Sequence, residues 1–269
     1  MESFTGRIAV VTGGASGMGR EIVRQLAADG CHVAMCDLSV EEMEETRRLA
    51  LADAPDGTIM TTHVCDVANE ASMIAFRDAV VEQHRIDHVD LLFNNAGIAG
   101  GGSVIADPRE TWERTFNVCW GGVYLGVRTF MPLVIAASDA HIVNTSSVNG
   151  FWASIGPDRP HTAYSAAKFA VKGFSEALIT DLRVNAPHVK VSVVMPGHIG
   201  TSIVENSLRH GVHEADMEAA EMVKLMSDMF RDQAPMTAAE AATEILDGVR
   251  AGRWRILVGD DARKLDEAV

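Results

Sequence analysis

The chain has 269 residues, 47% of them hydrophobic and 22% charged, which excludes a disordered chain and leaves enough apolar side chain to bury a core without staples. A formal net charge of -14 excludes the basic face that nucleic-acid binding requires. Cys31, Cys36, Cys65 and Cys119 lack the close spacing of a zinc or redox pair and read as small buried thiols of a reducing compartment, with no metal site. With no export signal and no apolar run near ~20 residues, the expectation is a cytoplasmic protein without a membrane span.

Apolar strand-like runs alternate with helical stretches. Arg7 to Thr12 predicts a strand and Gly17 to Ala28 a helix. A second strand is expected near His32 to Cys36, followed by a helix whose Glu41, Glu42, Glu44 and Glu45 read as a solvated face. Further strands are expected near Thr58 to Val64, Val89 to Phe93, His141 to Ser146 and Val189 to Met195. Helices are expected over about Glu70 to His84, Thr111 to Ala137 and His161 to Asn185, and a last helix, Ala238 to Ala251, leads into a strand at Arg255 to Val258. Strands separated by helix-length segments predict an α/β fold, a Rossmann-like doubly wound parallel sheet of about seven strands with helices on both faces. No repeat or linker divides the chain, so residues 1–269 read as one dinucleotide-binding catalytic domain. Asn144-Thr145-Ser146 matches a glycosylation sequon but lies at a strand end in a chain with no export signal, and is discounted.

In such sheets ligands bind beyond the carboxyl ends of the strands. Strand one runs into Thr12-Gly13-Gly14-Ala15-Ser16-Gly17-Met18-Gly19. Glycines there let the backbone approach a pyrophosphate, and the next helix points its free N–H groups at the phosphates. Asp37 ends strand two, placed to accept hydrogen bonds from an adenosine ribose. Its carboxylate would repel a 2′-phosphate, and neither Ser16 nor Leu38 offers a cation to offset it, so NAD is expected over NADP.

Beyond the glycine turn and Asp37, a run of further motifs resembles the short-chain dehydrogenase/reductase family in its single-domain form, from about Gly6 to Thr201 and more loosely through Val258. The family's TGxxxGxG pattern corresponds to Thr12, Gly13, Gly17 and Gly19, and the pair beside the adenine to Asp66 and Val67. NNAG corresponds to Asn94, Asn95, Ala96 and Gly97, and the helix asparagine of the catalytic group to Asn117. Ser147 follows strand five, Tyr164 and Lys168 form YxxxK, and Pro196, Gly197, Ile199 and Thr201 belong to PGxIxT.

The resemblance implies a catalytic set of Asn117, Ser147, Tyr164 and Lys168. It also implies a cofactor site of Gly13, Ser16, Gly17, Met18, Gly19, Asp37, Leu38, Asp66, Val67, Asn94, Ala96 and Gly97, with Tyr164, Lys168, Pro196, Gly197, Ile199 and Thr201. Residues four apart on a helix share a face, so Tyr164 and Lys168 can share a pocket. A phenol near pKa ~10 is a poor base at neutrality, and a nearby cation lowers a pKa by roughly 1–3 units. Lys168 and an oxidised nicotinamide would both act in that direction. Ser147 would hold the substrate oxygen against Tyr164; Ser146 competes for that place, and the SSxxG pattern favours Ser147. By resemblance, Asn117 would carry a water linking Lys168 to solvent, Thr201 would fix the carboxamide, and Lys168 would also bond the nicotinamide ribose. His161 and His198 read as bystanders.

The expected activity is NAD-dependent interconversion of a secondary alcohol and a ketone or aldehyde. An NADP-preferring carbonyl reductase is the nearest rival. A methyl transferase leaves Asn117, Ser147, Tyr164 and Lys168 without a purpose, and a non-catalytic dinucleotide sensor would not need them. Residues 202–235, with Met217, Met222, Met226 and Met229, read as a substrate lid, and Phe151 and Trp152 as a further apolar wall, so the expected partner is a lipophilic small molecule. The same methionines read equally as helix packing. The segment between Ser147 and Tyr164, with Pro157, Asp158, Arg159 and Pro160, is longer than the family's. A homodimer or homotetramer is implied by resemblance.

Overall fold

The computed structural model describes residues 1–100, 102–154, 160–209 and 217–269; of residues 208–209, 217–223 and 226 it describes the backbone alone. Seven parallel strands form the sheet: β1 (Ile8–Thr12), β2 (His32–Asp37), β3 (Met60–Val64), β4 (Leu91–Asn94), β5 (Ala140–Thr145), β6 (Val189–Pro196) and β9 (Arg255–Val258). Their order is β3-β2-β1-β4-β5-β6-β9. β7 (Ile199–Gly200) and β8 (Met236–Thr237) make a separate two-stranded ribbon. Strand order reverses between β1 and β4, where Val11 sits beside Phe93, and the crevice beyond their carboxyl ends is the place such a sheet reserves for a ligand.

One face of the sheet is covered by α1 (Gly17–Ala28), α2 (Val40–Asp53) and α9 (Ala238–Arg250), through a core that includes Ile22, Leu26, Met43 and Ile245. On the other face lie α3 (Glu70–His84), α5 (Gly122–Ala136) and α6 (Thr162–Asn185), with Phe76, Phe130 and Leu178 in the core. The central strands are buried along their length, which is why they read as continuous apolar runs rather than alternating ones. Ser39 caps α2 by accepting from Glu42 N, and Glu45 pairs with Arg48, so the glutamate run is the outer face of that helix.

The long helix expected from Thr111 is α4 (Arg109–Phe116), a π turn (Asn117–Gly121) and α5 end to end. By length and composition this helix of 28 residues could cross a membrane. Half of its most apolar window is buried in the protein, with Val123, Val127, Phe130 and Val134 among the buried side chains. α7 (Ile203–Arg209), α8 (Met217–Asp232) and α10 (Asp260–Ala268) lie outside the elements expected from the sequence. All four cysteines are free and buried, and so is Asn144 of the sequon.

Candidate functional site: a dinucleotide cleft ending at Tyr164

β1 hands the chain to α1 through a turn in which Gly13 (φ 68°) and Gly17 (φ 54°) take the left-handed conformation. A Cβ on Gly13 would stand 2.8 Å from the Ala96 Cα, so the turn and the segment after β4 approach backbone to backbone. Asn95 locks them: its N–H donates to Thr12 Oγ1 at 3.0 Å, and its Nδ2 donates to the carbonyls of Thr12 and Gly13 at 3.2 and 3.3 Å. The N-terminus of α1 has no side-chain cap and no acidic residue in its first turn, which leaves its N–H groups and dipole for an anion.

Above this turn opens a cleft of about 940 Å³, solvent mouth included. Of the expected cofactor residues, Gly13, Ser16, Gly17, Met18, Gly19 and Asp37 line it on the β1–β2 side. Leu38, Asp66, Val67, Ala96, Gly97 and Thr201 line the rest. Asp37 is held at the rim by three backbone amides, Oδ2 accepting from Ala15 N at 3.2 Å and Oδ1 from Leu38 N at 2.7 Å and Ser39 N at 3.5 Å. Asp66 accepts from Ala68 N at 3.0 Å and pairs with Arg114 at 2.7 Å. The glycine cradle, the uncapped helix end and the rim carboxylate fit a nicotinamide dinucleotide.

Asn94 does not face the cleft. It is buried, donates to Asn144 Oδ1 at 2.8 Å, and Asn144 in turn donates to Ser175 Oγ of α6 at 3.0 Å. This chain ties β4 and β5 to the helix that carries the reactive residues; Asn95 is the member of the pair that lines the cleft. Pro196 is buried at the end of β6, paired with Val258. Gly197 donates to the Val258 carbonyl at 3.0 Å, and the Asp261 carboxylate of α10 crowds its Cα while accepting from His198 N at 2.6 Å. Ile199 is buried in the core behind the cleft.

Tyr164 and Lys168 sit one turn apart on α6, with the Lys168 Nζ 5.3 Å from the Tyr164 ring centroid. Lys168 is buried, donates to the Thr145 carbonyl at 2.9 Å, and its Nζ stands 3.6 Å from where a Gly97 Cβ would be. The reactive pair therefore adjoins the inner wall of the cleft. Ser147 hydrogen-bonds Tyr164, whereas Ser146 donates to the Lys168 carbonyl at 2.7 Å, so of the two serines Ser147 faces the phenol.

Burial pushes the Tyr164 phenol above its ordinary value, and a charge at Cys119 would push it further. Lys168 and the Ser147 hydrogen bond pull it down without offsetting burial. Helical spacing reveals the cation beside the phenol, but not the dehydration that comes with placing the two together.

Asn117 is not brought to this set. It opens the π turn with an exposed side chain that makes no hydrogen bond among the described residues. The extra residue of a π turn rotates the rest of the helix, and the residue turned toward the site is Cys119, with its Sγ 3.7 Å from the Gly97 Cβ position. Nothing in the spacing alone announces a π turn. Other lining residues that no motif marks are Arg114, Val118, Ser202, Ile203 and Asn206. Asn206 reaches across to Ser16 Oγ at 2.8 Å.

His161 stacks on the Tyr164 ring, centroids 4.9 Å apart at 15°. The His198 ring lies 4.2 Å from Phe230 and its Nε2 2.7 Å from the Phe230 carbonyl, fastening α8 to the body. Phe151 turns to Arg255 at 5.5 Å, and Trp152 is exposed. The side chains of Met217, Met222 and Met226, and residues 157–159 of the long loop, lie outside the described residues; Met229 is exposed.

The sequence model of the short chain dehydrogenase family matches residues 7–211. SadH, named as an oxidoreductase of Mycobacterium tuberculosis, is 36% identical over 99% of this chain and 91% of its own length. Levodione reductase of Leifsonia aquatica is 32% identical over 91% of this chain and 89% of its own length. The crystal structure of a short chain dehydrogenase/reductase from Burkholderia phymatum in complex with NAD superposes with a TM-score of 0.86, at 29% identity, covering 99% of this chain and 94% of that one. Glycine turn, rim carboxylate and YxxxK helix sit where the seven-stranded parallel sheet puts its crevice, and the chain belongs to the short chain dehydrogenase/reductase family of NAD(P)-dependent oxidoreductases.

Proposed function

We propose that the protein interconverts a secondary alcohol and a ketone or aldehyde with NAD, with Tyr164 as general acid and base. The observation that carries this reading is the Tyr164 phenol hydrogen-bonded to Ser147, with the buried Lys168 ammonium one helical turn away beside the cleft wall. When bound, the nicotinamide ring supplies the hydride exchange and, in its oxidised form, a positive charge. Tyr164 Oη takes the hydroxyl proton in oxidation and returns it in reduction. Ser147 Oγ holds the substrate oxygen against it, an orientation effect that removes several kcal/mol of barrier. Lys168 stabilises the ionised phenol. Because burial outweighs Lys168 in the protein alone, the base role of Tyr164 calls on the positive charge of the oxidised cofactor as well.

NAD is preferred over NADP because the Asp37 carboxylate, aimed by Ala15 N and Leu38 N, would face a 2′-phosphate with like charge. Levodione reductase, a relative by sequence, takes its name from a carbonyl substrate, which supports the reaction class. A lipophilic substrate fits the apolar Ile98 and Val118 along the cleft and the exposed Trp152 and Met229. Four free, buried thiols fit a reducing, cytoplasmic setting.

The test is turnover of a panel of secondary alcohols, followed by absorbance of reduced cofactor, with NAD and NADP side by side. Tyr164→Phe is expected to lower kcat by about 10²–10⁴-fold. Retained turnover in that variant would remove Tyr164 from the chemistry, and equal or better kcat/KM with NADP would reverse the cofactor assignment.

A further inference from the structure

The π turn presents two polar residues, and they point differently. Asn117 is exposed. Cys119 is fully buried, and its thiol donates to the Ile98 carbonyl at 3.1 Å. Ile98 directly follows Gly97, where a Cβ would stand 3.7 Å from the Cys119 Sγ and 3.6 Å from the Lys168 Nζ. Gly122, next in the helix, meets Val67 on the adenine side, where a Cβ would stand 2.8 Å from Val67 Cγ2. One short stretch of helix thus touches the adenine wall, the glycine after β4 and the neighbourhood of Tyr164.

We infer that Cys119, and not Asn117, is the helix member of the catalytic group: a positioning residue whose thiol pins the π turn to the Ile98 carbonyl and forms the wall opposite Lys168. The inference rests on Tyr164 and Lys168 acting as proposed for the reaction. A thiol suits the place. It is small, tolerates a site without water, and offers one weak donor, which the Ile98 carbonyl takes. It adds no fixed charge beside an ammonium that must stay aimed at the phenol. Lys168 has three donors and Thr145 O takes one, so any shift of this wall changes where the other two point.

The experiment compares Asn117→Ala, Cys119→Ser and Cys119→Val, with Tyr164→Phe as control, in kcat, KM for alcohol and for NAD, the pH profile of kcat, and melting temperature. Asn117→Ala is expected to keep kcat within about twofold of the parent. Cys119→Ser keeps a donor for Ile98 O and stays within about threefold. Cys119→Val, of similar size and without a donor, is expected to lose about tenfold in kcat with KM for NAD little changed, and to move the basic limb of the pH profile. A merely structural role would lower the melting temperature and leave that limb in place, which would overturn the inference. So would loss of most activity in Asn117→Ala while Cys119→Val keeps its own. If Cys119→Val does not fold, Cys119→Ala, which also lacks the donor, takes its place in the same readouts. An unaffected Tyr164→Phe control strikes at the proposed reaction instead, so the two failures are distinguishable.

Discussion

His141 and His84 are imidazoles kept neutral by dehydration. His141 is 1% exposed, its Nε2 2.7 Å from Ser192 Oγ, and burial pushes its pKa down to about 3. His84 shares the Thr61 hydroxyl at 2.8 Å and is pushed down to about 4, by burial first and then by His63 and His32. An unfolded chain protonates these rings near pH ~6.5. Between that pH and the folded value the unfolded state holds the extra proton, so stability is complete above about 6.5 and drains as pH falls to about 4 for His84 and about 3 for His141. The slope is at most about 1.4 kcal/mol per pH unit per group. Urea midpoints measured across this window should flatten in His141→Gln; an unchanged dependence would remove His141 from the account. At this scale the sequence was legible for residues whose place is set by a local pattern: Gly13 and Asp37 line the cleft, and Tyr164 and Lys168 stand one turn apart on α6. It was not legible for Asn94 against Asn95, because which of two neighbours faces the cleft depends on where β4 ends.

Among the elements, α10 carries more than its sequence suggests. The short, charged tail after Gly259 folds as a helix whose Asp261 accepts from His198 N at 2.6 Å and from Ala262 N at 2.9 Å. Arg263 of the same helix pairs with Glu244 of α9 at 3.1 Å, and Arg255 of β9 pairs with Asp266. The turn between β6 and β7, which leads to Thr201, is therefore held from outside by the last helix of the chain. Asp261→Ala frees the His198 amide and the crowded Gly197, and is expected to raise KM for NAD by about 3- to 10-fold, consistent with the ~1 kcal/mol typical of one hydrogen bond. Titration of NADH fluorescence would check it, and unchanged affinity would show that β7 holds the turn unaided. The contact joins residues far apart in sequence, so no local pattern announces it. The regular elements were the opposite case. The limits of β9 follow directly from its apolar run, and those of α6 lie within a residue of the expectation, because period and length suffice there.

At the scale of the whole molecule, α5 and α6 present apolar side chains to solvent: Tyr124 is 42% exposed, Phe169 45% and Ile135 43%. Trp120, Tyr124 and Phe174 form an aromatic group across the two helices, with centroids 5.3–6.5 Å apart. We propose that this face pairs two copies of the chain. Light scattering should give a dimer or tetramer for the parent and a smaller species for Phe169→Glu, which places a charge in the patch; a parent that runs as a monomer ends the proposal. The topology itself could be read from strand-helix alternation, since right-handed crossovers leave few sheets to choose from. The lid expected over 202–235 could only be read as a place, because apolar residues alone do not say what they will cover.

The π turn at Asn117–Gly121 has a consequence for what can be changed there. Deleting one residue between 117 and 121 would let the rod straighten. Every position beyond would then swing by about 100° about the axis, since a helix has 3.6 residues per turn. Val123, Val127, Phe130 and Val134, now buried, would be aimed partly at water. Substitutions in this stretch touch one contact each, whereas a deletion misdirects four turns of helix.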